Sequence, residues 1–361
     1  MGSGARGNVD RSSPSLYLPA NPLLGLSMRV AILGAGGFGT SLAIVLGGKG
    51  LDVRLWVREA DLCDTMNEAR ENVRYLSGFT LPEGVTAVPR IEQALEGAQM
   101  LVGATPSQVA REIFSQAAPL IPEGIPVVTV SKGIEEGTLL LPTEVLESVL
   151  PERFHPFLAA LSGPSFAREV AAGVPTAVTV AAHADKVAQA VQEAFSARTF
   201  RCYTSPDVIG VQLGGALKNV IAIGAGIADG LGFGNNGRAA LITRGLAEIS
   251  RIAVARGANP LTLSGLAGLG DLVLTCTGEL SRNRRVGVEL GKGLPLSEIL
   301  GGLGQVAEGV ATARSARALA HKLGVDVPIT EQVYEILHEG KDPRQAVAEL
   351  MMREPKPEIR T

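Results

Sequence analysis

Two hydrophobic rhythms divide the chain. In its first part, short apolar runs of strand length alternate with stretches of helical period. The runs are Val30–Leu33, Val53–Val57, Ala98–Ala104, Val127–Val130, Phe157–Leu161 and Val178–Ala181. Helical patterns fall at Thr40–Leu46, Glu59–Glu71 and Val109–Ala118, and a loop with Pro82 and Gly84 follows Tyr75-Leu76. This alternation predicts a parallel sheet. From about Ser205 the strand signals fade and helical periodicity takes over. It covers Val208–Ala228, Ala239–Arg256, Pro295–Leu300, Ala311–Lys322, Ile329–Glu339 and Pro343–Met351. The expected organisation is an α/β unit over 28–204 and an all-helical unit over 205–361, with a substrate cleft between them.

The first run opens the stretch RVAILGAGGFGTSLA, Arg29–Ala43. Gly34, Gly36 and Gly39 stand at G-x-G-x-x-G spacing between a strand and a helix, and a second strand follows. That context makes the motif a dinucleotide fingerprint and the α/β unit a Rossmann domain. The first glycine allows the tight turn, the second lets a pyrophosphate approach, and the third lets helix and strand pack closely. The helix N-terminus offers free N–H groups to the phosphates. Three strand endings carry polar groups: Thr105-Pro106-Ser107, Ser131-Lys132-Gly133 and Ser162-Gly163-Pro164-Ser165. Ligands of such sheets collect at the carboxyl ends of the strands.

Composition narrows the class. The chain has 361 residues, 46% hydrophobic and 19% charged, and a net charge of −3. With no basic tail it fits neither a nucleic-acid nor an anionic-membrane partner. Cys63, Cys202 and Cys276 are far apart and without metal spacing, so neither a disulfide framework nor a metal site is expected, and a reducing, cytoplasmic compartment fits. His155, His183, His321 and His338 are equally scattered. Residues 1–27 mix Gly, Ser, Pro and Asn with little periodicity. They read as a disordered extension, a tag remnant or a misassigned start, with Met28 as the native start. Val208–Ala228 is long enough to raise a transmembrane question. Gln212, Lys218 and Asn219 in its middle make it a buried helix of a soluble protein instead.

That helix carries the first candidate chemistry. Lys218 is the only charge between Asp207 and Asp229. A lysine in apolar surroundings has a depressed pKa and can act as acid or base near neutral pH; a lysine at a helix edge would simply snorkel to water. Gly210, Gly214, Gly215, Gly224, Gly226 and Gly230 cost helix stability, about 1 kcal/mol each relative to Ala, and need a compensating close contact. Further on, Asp271 follows a glycine-rich turn and is either a functional carboxylate or a helix N-cap. Arg282, Arg284 and Arg285 cluster around Asn283 beside Ser281. They suit a phosphate dianion, or form a solvated basic turn.

Taken in order, the segments GAGGFGTSLA, SKGIE, GPSFARE, LKNVIAIGAGIADGL, GLGDLVLTC, SRNRRVG and AEGVATA resemble the bacterial type of NAD(P)-dependent glycerol-3-phosphate dehydrogenase, from Met28 to about His338. The resemblance implies a Rossmann domain and a helical domain similar to that of 6-phosphogluconate dehydrogenase. It implies interconversion of dihydroxyacetone phosphate and sn-glycerol 3-phosphate with NADPH or NADH, serving glycerophospholipid biosynthesis, in a homodimer. Matched residue by residue, it makes Lys218 the proton acceptor in oxidation and the proton donor in reduction. It puts Lys132, Gly163, Ser165, Asn219, Asp271, Thr275, Ser281, Arg282 and Asn283 with Lys218 around the substrate. It puts Gly34, Gly36, Gly37, Phe38, Gly39, Arg58, Lys132, Ala167, Arg282, Val306 and Glu308 around the cofactor. Gly37 stands where members often carry serine, and Phe38 where tryptophan is frequent. Arg58, at the end of the second strand, can accept a 2′-phosphate, while Glu59 leaves room for NADH. Two other readings share parts of this pattern: a related dehydrogenase acting on a carboxylate substrate, and a non-catalytic sensor of NAD(H).

Overall fold

The computed structural model describes residues 28–303, 306–355 and 357–358. The expected extension over 1–27 lies outside them. The first half runs β1 (Arg29–Leu33), α1 (Gly37–Gly48), β2 (Asp52–Trp56), α2 (Ala60–Ala69), β3 (Glu71–Asn72), β4 (Leu76–Thr80), β5 (Val85–Val88), α3 (Ile91–Leu95) and β6 (Met100–Gly103). It continues with α4 (Ala110–Ala117), β7 (Val127–Thr129), α5 (Pro142–Val149), β8 (Leu158–Ser162), α6 (Ala167–Ala171), β9 (Thr176–Ala182), α7 (Asp185–Phe195) and β10 (Phe200–Ser205).

Among the described residues, eight strands form one sheet in the order β10-β9-β8-β7-β6-β1-β2-β5. The six strands from β5 to β8 make the doubly wound dinucleotide order, with the chain switching sides between β1 and β6. Alternate residues of β1 enter different cores: Val30 and Ile32 pack on one face, Ala31 and Leu33 on the other. Burial on both faces explains why these strands read as unbroken apolar runs.

The sheet is not wholly parallel, as the alternation had suggested. β9 runs antiparallel to β8, and β10 is parallel to β9. Strand direction follows from the connection. The five-residue α6 rises about 7.5 Å, well short of the about 17 Å of the five-residue β8, and the connection does not carry the chain back along that strand. The chain therefore enters β9 from the near end. The expected loop with Pro82 and Gly84 lies between β4 and β5; not foreseen are the small antiparallel hairpin of β3 and β4 before it and the edge strand β5 after it.

The second half is helical: α8 (Val208–Gly230), α9 (Gly234–Ala255), α10 (Pro260–Leu263), α11 (Asp271–Thr277), α12 (Arg282–Gly291), α13 (Leu296–Leu303), α14 (Glu308–Leu323), α15 (Pro328–His338) and α16 (Pro343–Met351). Helix α8 has the length and composition of a membrane span, but 94% of its most apolar window is buried inside the protein. It is the axis of the helical core, which contains Leu213, Leu217, Val220, Ile221 and Ile223. Asp207 caps it by accepting the Gly210 N–H at 2.8 Å.

Three glycines of α8, Gly214, Gly226 and Gly230, meet neighbouring backbone that leaves no room for a side chain. A Cβ on Gly214 would lie 2.5 Å from the Ala267 carbonyl oxygen, and one on Gly226 would strike the Arg284 carbonyl oxygen of α12. Helix α12 answers with Gly287 and Gly291 against Ile223, Ile227 and Gly230. Asp229, near the end of α8, takes Arg284 at 2.7 Å and Arg238 of α9 at 2.7 Å. Helices α8 and α12 thus run backbone against backbone, with ion pairs at one end.

Candidate active site

The parallel register lines up the strand ends. Leu33 pairs with Trp56 and Gly103, and Gly103 pairs with Thr129. The loops after β1, β2, β6 and β7 therefore open along one carboxyl edge.

At β1 the glycine loop divides its tasks. Gly34 has φ 118°, and a Cβ there would lie 2.7 Å from the Ala104 carbonyl oxygen. A Cβ on Gly39 would run into the Gly34 carbonyl. On Gly36 it would meet nothing within 4 Å, so this glycine faces open space. The first turn of α1 contains no acidic residue and no side chain caps it. Its N–H groups are left for an anion, and this cradle suits a pyrophosphate.

The hairpin holds the loop in place. Buried Asn72 donates to the Ala35 carbonyl and to Thr40 Oγ1, both at 2.8 Å. Its Oδ1 accepts the Tyr75 N–H at 3.0 Å. Gly37 sits under Tyr75, where a Cβ would approach the Tyr75 carbonyl at 3.0 Å and Ala167 of α6 at 3.7 Å. Sequence reasoning missed Asn72 and Tyr75, because only the hairpin, a product of pairing, brings them to the motif.

The second group gathers around Asp271, which is 1% exposed. Lys218 is 6% exposed and its Nζ donates to Asp271 Oδ1 and, at 2.8 Å, to Thr275 Oγ1. Its ammonium is thus held inside the protein and does not snorkel. Lys132 Nζ donates to Asp271 Oδ2 at 2.8 Å and to the Gly163 carbonyl at 2.9 Å. Asp271 is the first residue of α11, after Gly270 in the N-cap position, so its carboxylate serves the two lysines rather than the helix end. Thr275, one turn later, faces the same way.

An amide ladder ties the helices together. Asn219 donates to the Lys132 carbonyl at 3.0 Å, Asn283 donates to Asn219 Oδ1 at 2.9 Å, and Gly309 N–H donates to Asn283 Oδ1 at 3.0 Å. Ser281 caps α12 by accepting the Arg284 N–H at 3.2 Å. The cluster that suits either a phosphate or a basic turn is therefore the first turn of a helix. Glu308 opens α14 and accepts the Ser107 N–H at 3.1 Å, which joins the helical half to the end of β6. In the sequence, Ser107 stands out only as part of a polar strand ending. Ser165 Oγ donates to the Gly163 carbonyl at 2.9 Å.

Burial sets the electrostatics. It pushes the Lys218 ammonium down to about 8, against the pull of Asp271 and with help from the like charge of Lys132. Burial also raises the Glu308 carboxyl above its usual range, although Ser107, Arg282, Lys132 and Lys218 oppose it. Arg282 is solvent-accessible, yet surrounding protein lowers its affinity for the proton while Glu308 restores part of it. Lys132, Lys218 and Arg282 against Asp271 and Glu308 leave the group net positive, which suits an anionic ligand.

Comparison with known proteins identifies the relatives of this chain. A model described as the N-terminus of NAD-dependent glycerol-3-phosphate dehydrogenase matches residues 29–188, and one for its C-terminus matches 207–348. A glycerol-3-phosphate dehydrogenase [NAD(P)+] of Myxococcus xanthus is 59% identical over 332 residues, 92% of this chain and 99% of that one. The chain belongs to the NAD-dependent glycerol-3-phosphate dehydrogenase family. Another relative of the same description, from Anaeromyxobacter, is 57% identical over 92% of this chain and 100% of its own. The crystal structure of the Coxiella burnetii glycerol-3-phosphate dehydrogenase superposes with a TM-score of 0.86 at 43% identity, covering 91% of this chain and 99% of that one.

The expected positions do not all meet. Lys132, Gly163, Ser165, Lys218, Asn219, Asp271, Thr275 and Asn283 form one bonded cluster. Gly34, Gly36, Gly37 and Gly39 form the loop into α1 and its first turn, with Ala167 beside Gly37, and Ser281, Arg282 and Glu308 stand at the starts of α12 and α14. Phe38 reaches the bonded cluster from α1, its ring 5.8 Å from Lys132 Nζ. Arg58 stands apart, beyond β2, with its side chain 74% exposed. Val306 is also exposed, in the segment before α14.

Proposed function

We propose that the chain interconverts dihydroxyacetone phosphate and sn-glycerol 3-phosphate with NADPH or NADH, and so feeds glycerophospholipid biosynthesis. The observation that carries this reading is the buried Lys218 ammonium, held by Asp271 and Thr275 at the carboxyl edge of a dinucleotide sheet. The nicotinamide, when bound, supplies or takes the hydride. Lys218 Nζ gives its proton to the ketone oxygen as charge develops there, and takes it back in oxidation. Asp271 and Thr275 aim the ammonium. Lys132 adds a second positive charge and a link to Gly163. Asn219 and Asn283 keep α8, α12 and the loop after β7 at fixed spacing. Arg282 and the capped start of α12 hold the substrate phosphate, away from the reacting carbon, and so fix its pose.

The same reading assigns the pyrophosphate to Gly34, Gly36, Gly37 and Gly39. It places Phe38, Ala167, Val306 and Glu308 along the rest of the cofactor and Arg58 at the ribose. Residues 28–204 would hold the cofactor, and residues 205–361 most of the substrate. The protein is taken as a cytoplasmic homodimer, a state that light scattering measures. The functional test is cofactor oxidation with dihydroxyacetone phosphate against unphosphorylated dihydroxyacetone. Turnover is expected with the phosphate ester alone; equal turnover would remove phosphate recognition from the reading.

Two further outcomes are expected. Arg282→Ala raises the KM for dihydroxyacetone phosphate by about 30-fold, or about 2 kcal/mol. That is the low end for truncating one side of a charge pair, because Arg282 is solvated before substrate arrives. Arg282→Lys restores part of the loss, since a point charge cannot reproduce the guanidinium fork. The second outcome concerns pH. Reduction needs Lys218 protonated, so kcat/KM for the ketone is level below about 8 and falls above it. Oxidation needs Lys218 neutral, so its kcat/KM rises through the same pH and then levels. Profiles with the same slope in both directions would take the proton away from Lys218.

A further inference from the structure

Beyond β2, two residues of opposite charge stand where a dinucleotide's adenosine ribose is read. Arg58 Nη2 lies 3.2 Å from Glu59 Oε1. The same Oε1 accepts the Tyr75 hydroxyl at 3.2 Å. Tyr75 is fixed through its own N–H to Asn72, and Asn72 is fixed to Ala35 and Thr40 of the glycine loop. The Tyr75 backbone is thereby tied to the pyrophosphate cradle, and its hydroxyl reaches from there to Glu59.

We propose that Tyr75 is a specificity-determining residue: it holds the Glu59 carboxylate back so that Arg58 is released to a 2′-phosphate, while Glu59 stays ready for a free 2′-hydroxyl. The proposal rests on the reading of Arg58 as the ribose-side cation. An exposed Arg–Glu pair is weak. A phosphate near two negative charges, with three strong acceptor oxygens, wins the guanidinium from a single carboxylate. What Glu59 does then decides the affinity. Without another partner it follows Arg58 and faces the phosphate at like charge. With Tyr75 it keeps a hydrogen bond on the hairpin side. Burial alone would raise the Glu59 carboxyl, but its own backbone N–H, Arg58 and Tyr75 outweigh that and hold it below its usual value. It is thus an anion at neutral pH and a competent acceptor for ribose hydroxyls when no 2′-phosphate is present.

The test is calorimetric and uses the full chain with two fragments, 2′,5′-ADP and 5′-AMP. In Tyr75→Phe, the Kd of 2′,5′-ADP rises about two- to fivefold, the reach of a half-exposed ion pair, and that of 5′-AMP stays put. In Glu59→Gln, 2′,5′-ADP binds tighter by a similar factor. Adding Tyr75→Phe to Glu59→Gln then changes nothing further, because the carboxylate it restrained is gone. The proposal is overturned if Tyr75→Phe weakens both fragments equally, which marks a loosened hairpin, or if its effect persists in the Glu59→Gln background. Arg58→Ala separates this from the reading beneath it. Loss of the preference for 2′,5′-ADP supports Arg58 as the phosphate ligand, and an unchanged preference removes Arg58 and the proposal with it.

Discussion

Lys218→Met lowers kcat by about 10²–10⁴, the range for removing a positioned acid or base. The Kd for NADPH is expected to stay close to that of the parent, because the proposed pyrophosphate cradle lies on the glycine loop after β1, away from Lys218. Methionine keeps nearly the volume of lysine inside a helix whose neighbours allow little movement. Breaking a buried ion pair by removing one partner usually costs about 3–5 kcal/mol. Here the cost is smaller, since Asp271 Oδ2 keeps its bond to Lys132 at 2.8 Å. A melting temperature a few degrees down, an intact cofactor Kd and lost turnover together support the catalytic role. Lys218→Arg is the companion variant. It keeps a cation beside Asp271 but cannot give up its proton near neutral pH, so it too is expected to fold and to turn over little. Near-parental turnover in either variant would leave Lys218 as a structural cation.

How much of this is legible in the sequence differs from element to element, for physical reasons. The glycine loop is legible because its requirements are local: a left-handed turn at Gly34, an approach to open space at Gly36, and contact with the Gly34 carbonyl at Gly39. Helix α8 is legible because a long apolar stretch with one central charge must be enclosed by protein, and its helical length sets it apart from a strand. The direction of β9 is not, since an apolar run has the same composition in either direction and only its pairing with β8 shows which way it runs. The hairpin is not, because Asn72 is buried by pairing and by the glycine loop, neither of which leaves a period in the sequence. Resemblance names the residues around Asp271. Which carboxylate oxygen each lysine takes, and that the shared face of Asp271 and Thr275 meets Lys218, follow only from the packing of α11 on α8.

Helix α12 gives the sharpest case. Its first turn reads as either a phosphate site or a solvated basic turn, and its buried face sets Gly287 beside Val286 and Leu290, with Gly291 one turn on. Hydrophobic periodicity cannot see a helix that buries glycine. The fold depends on that choice, which leads to the second large effect. Gly287→Ala is expected to destabilise the protein by about 1–3 kcal/mol, and Gly287→Val by more. In an exposed helix the alanine change would instead stabilise by about 1 kcal/mol. The sign reverses because the added Cβ would strike the Ile223 carbonyl oxygen and lie 2.8 Å from Ile227 N and 2.9 Å from the Gly226 Cα. These are backbone atoms of α8 and cannot step aside, so the helices must separate. Separation moves Ser281, Arg282 and Asn283 outward while Arg284 is still tethered to Asp229, so the KM for dihydroxyacetone phosphate rises together with the fall in melting temperature. Gly301→Ala is the control, since a Cβ there meets nothing within 4 Å. It should melt at or slightly above the parent with an unchanged KM. A Gly287→Ala protein that melted no lower than the parent, with its KM intact, would show that the α8–α12 contact has slack and that the glycines do not set the spacing of the site.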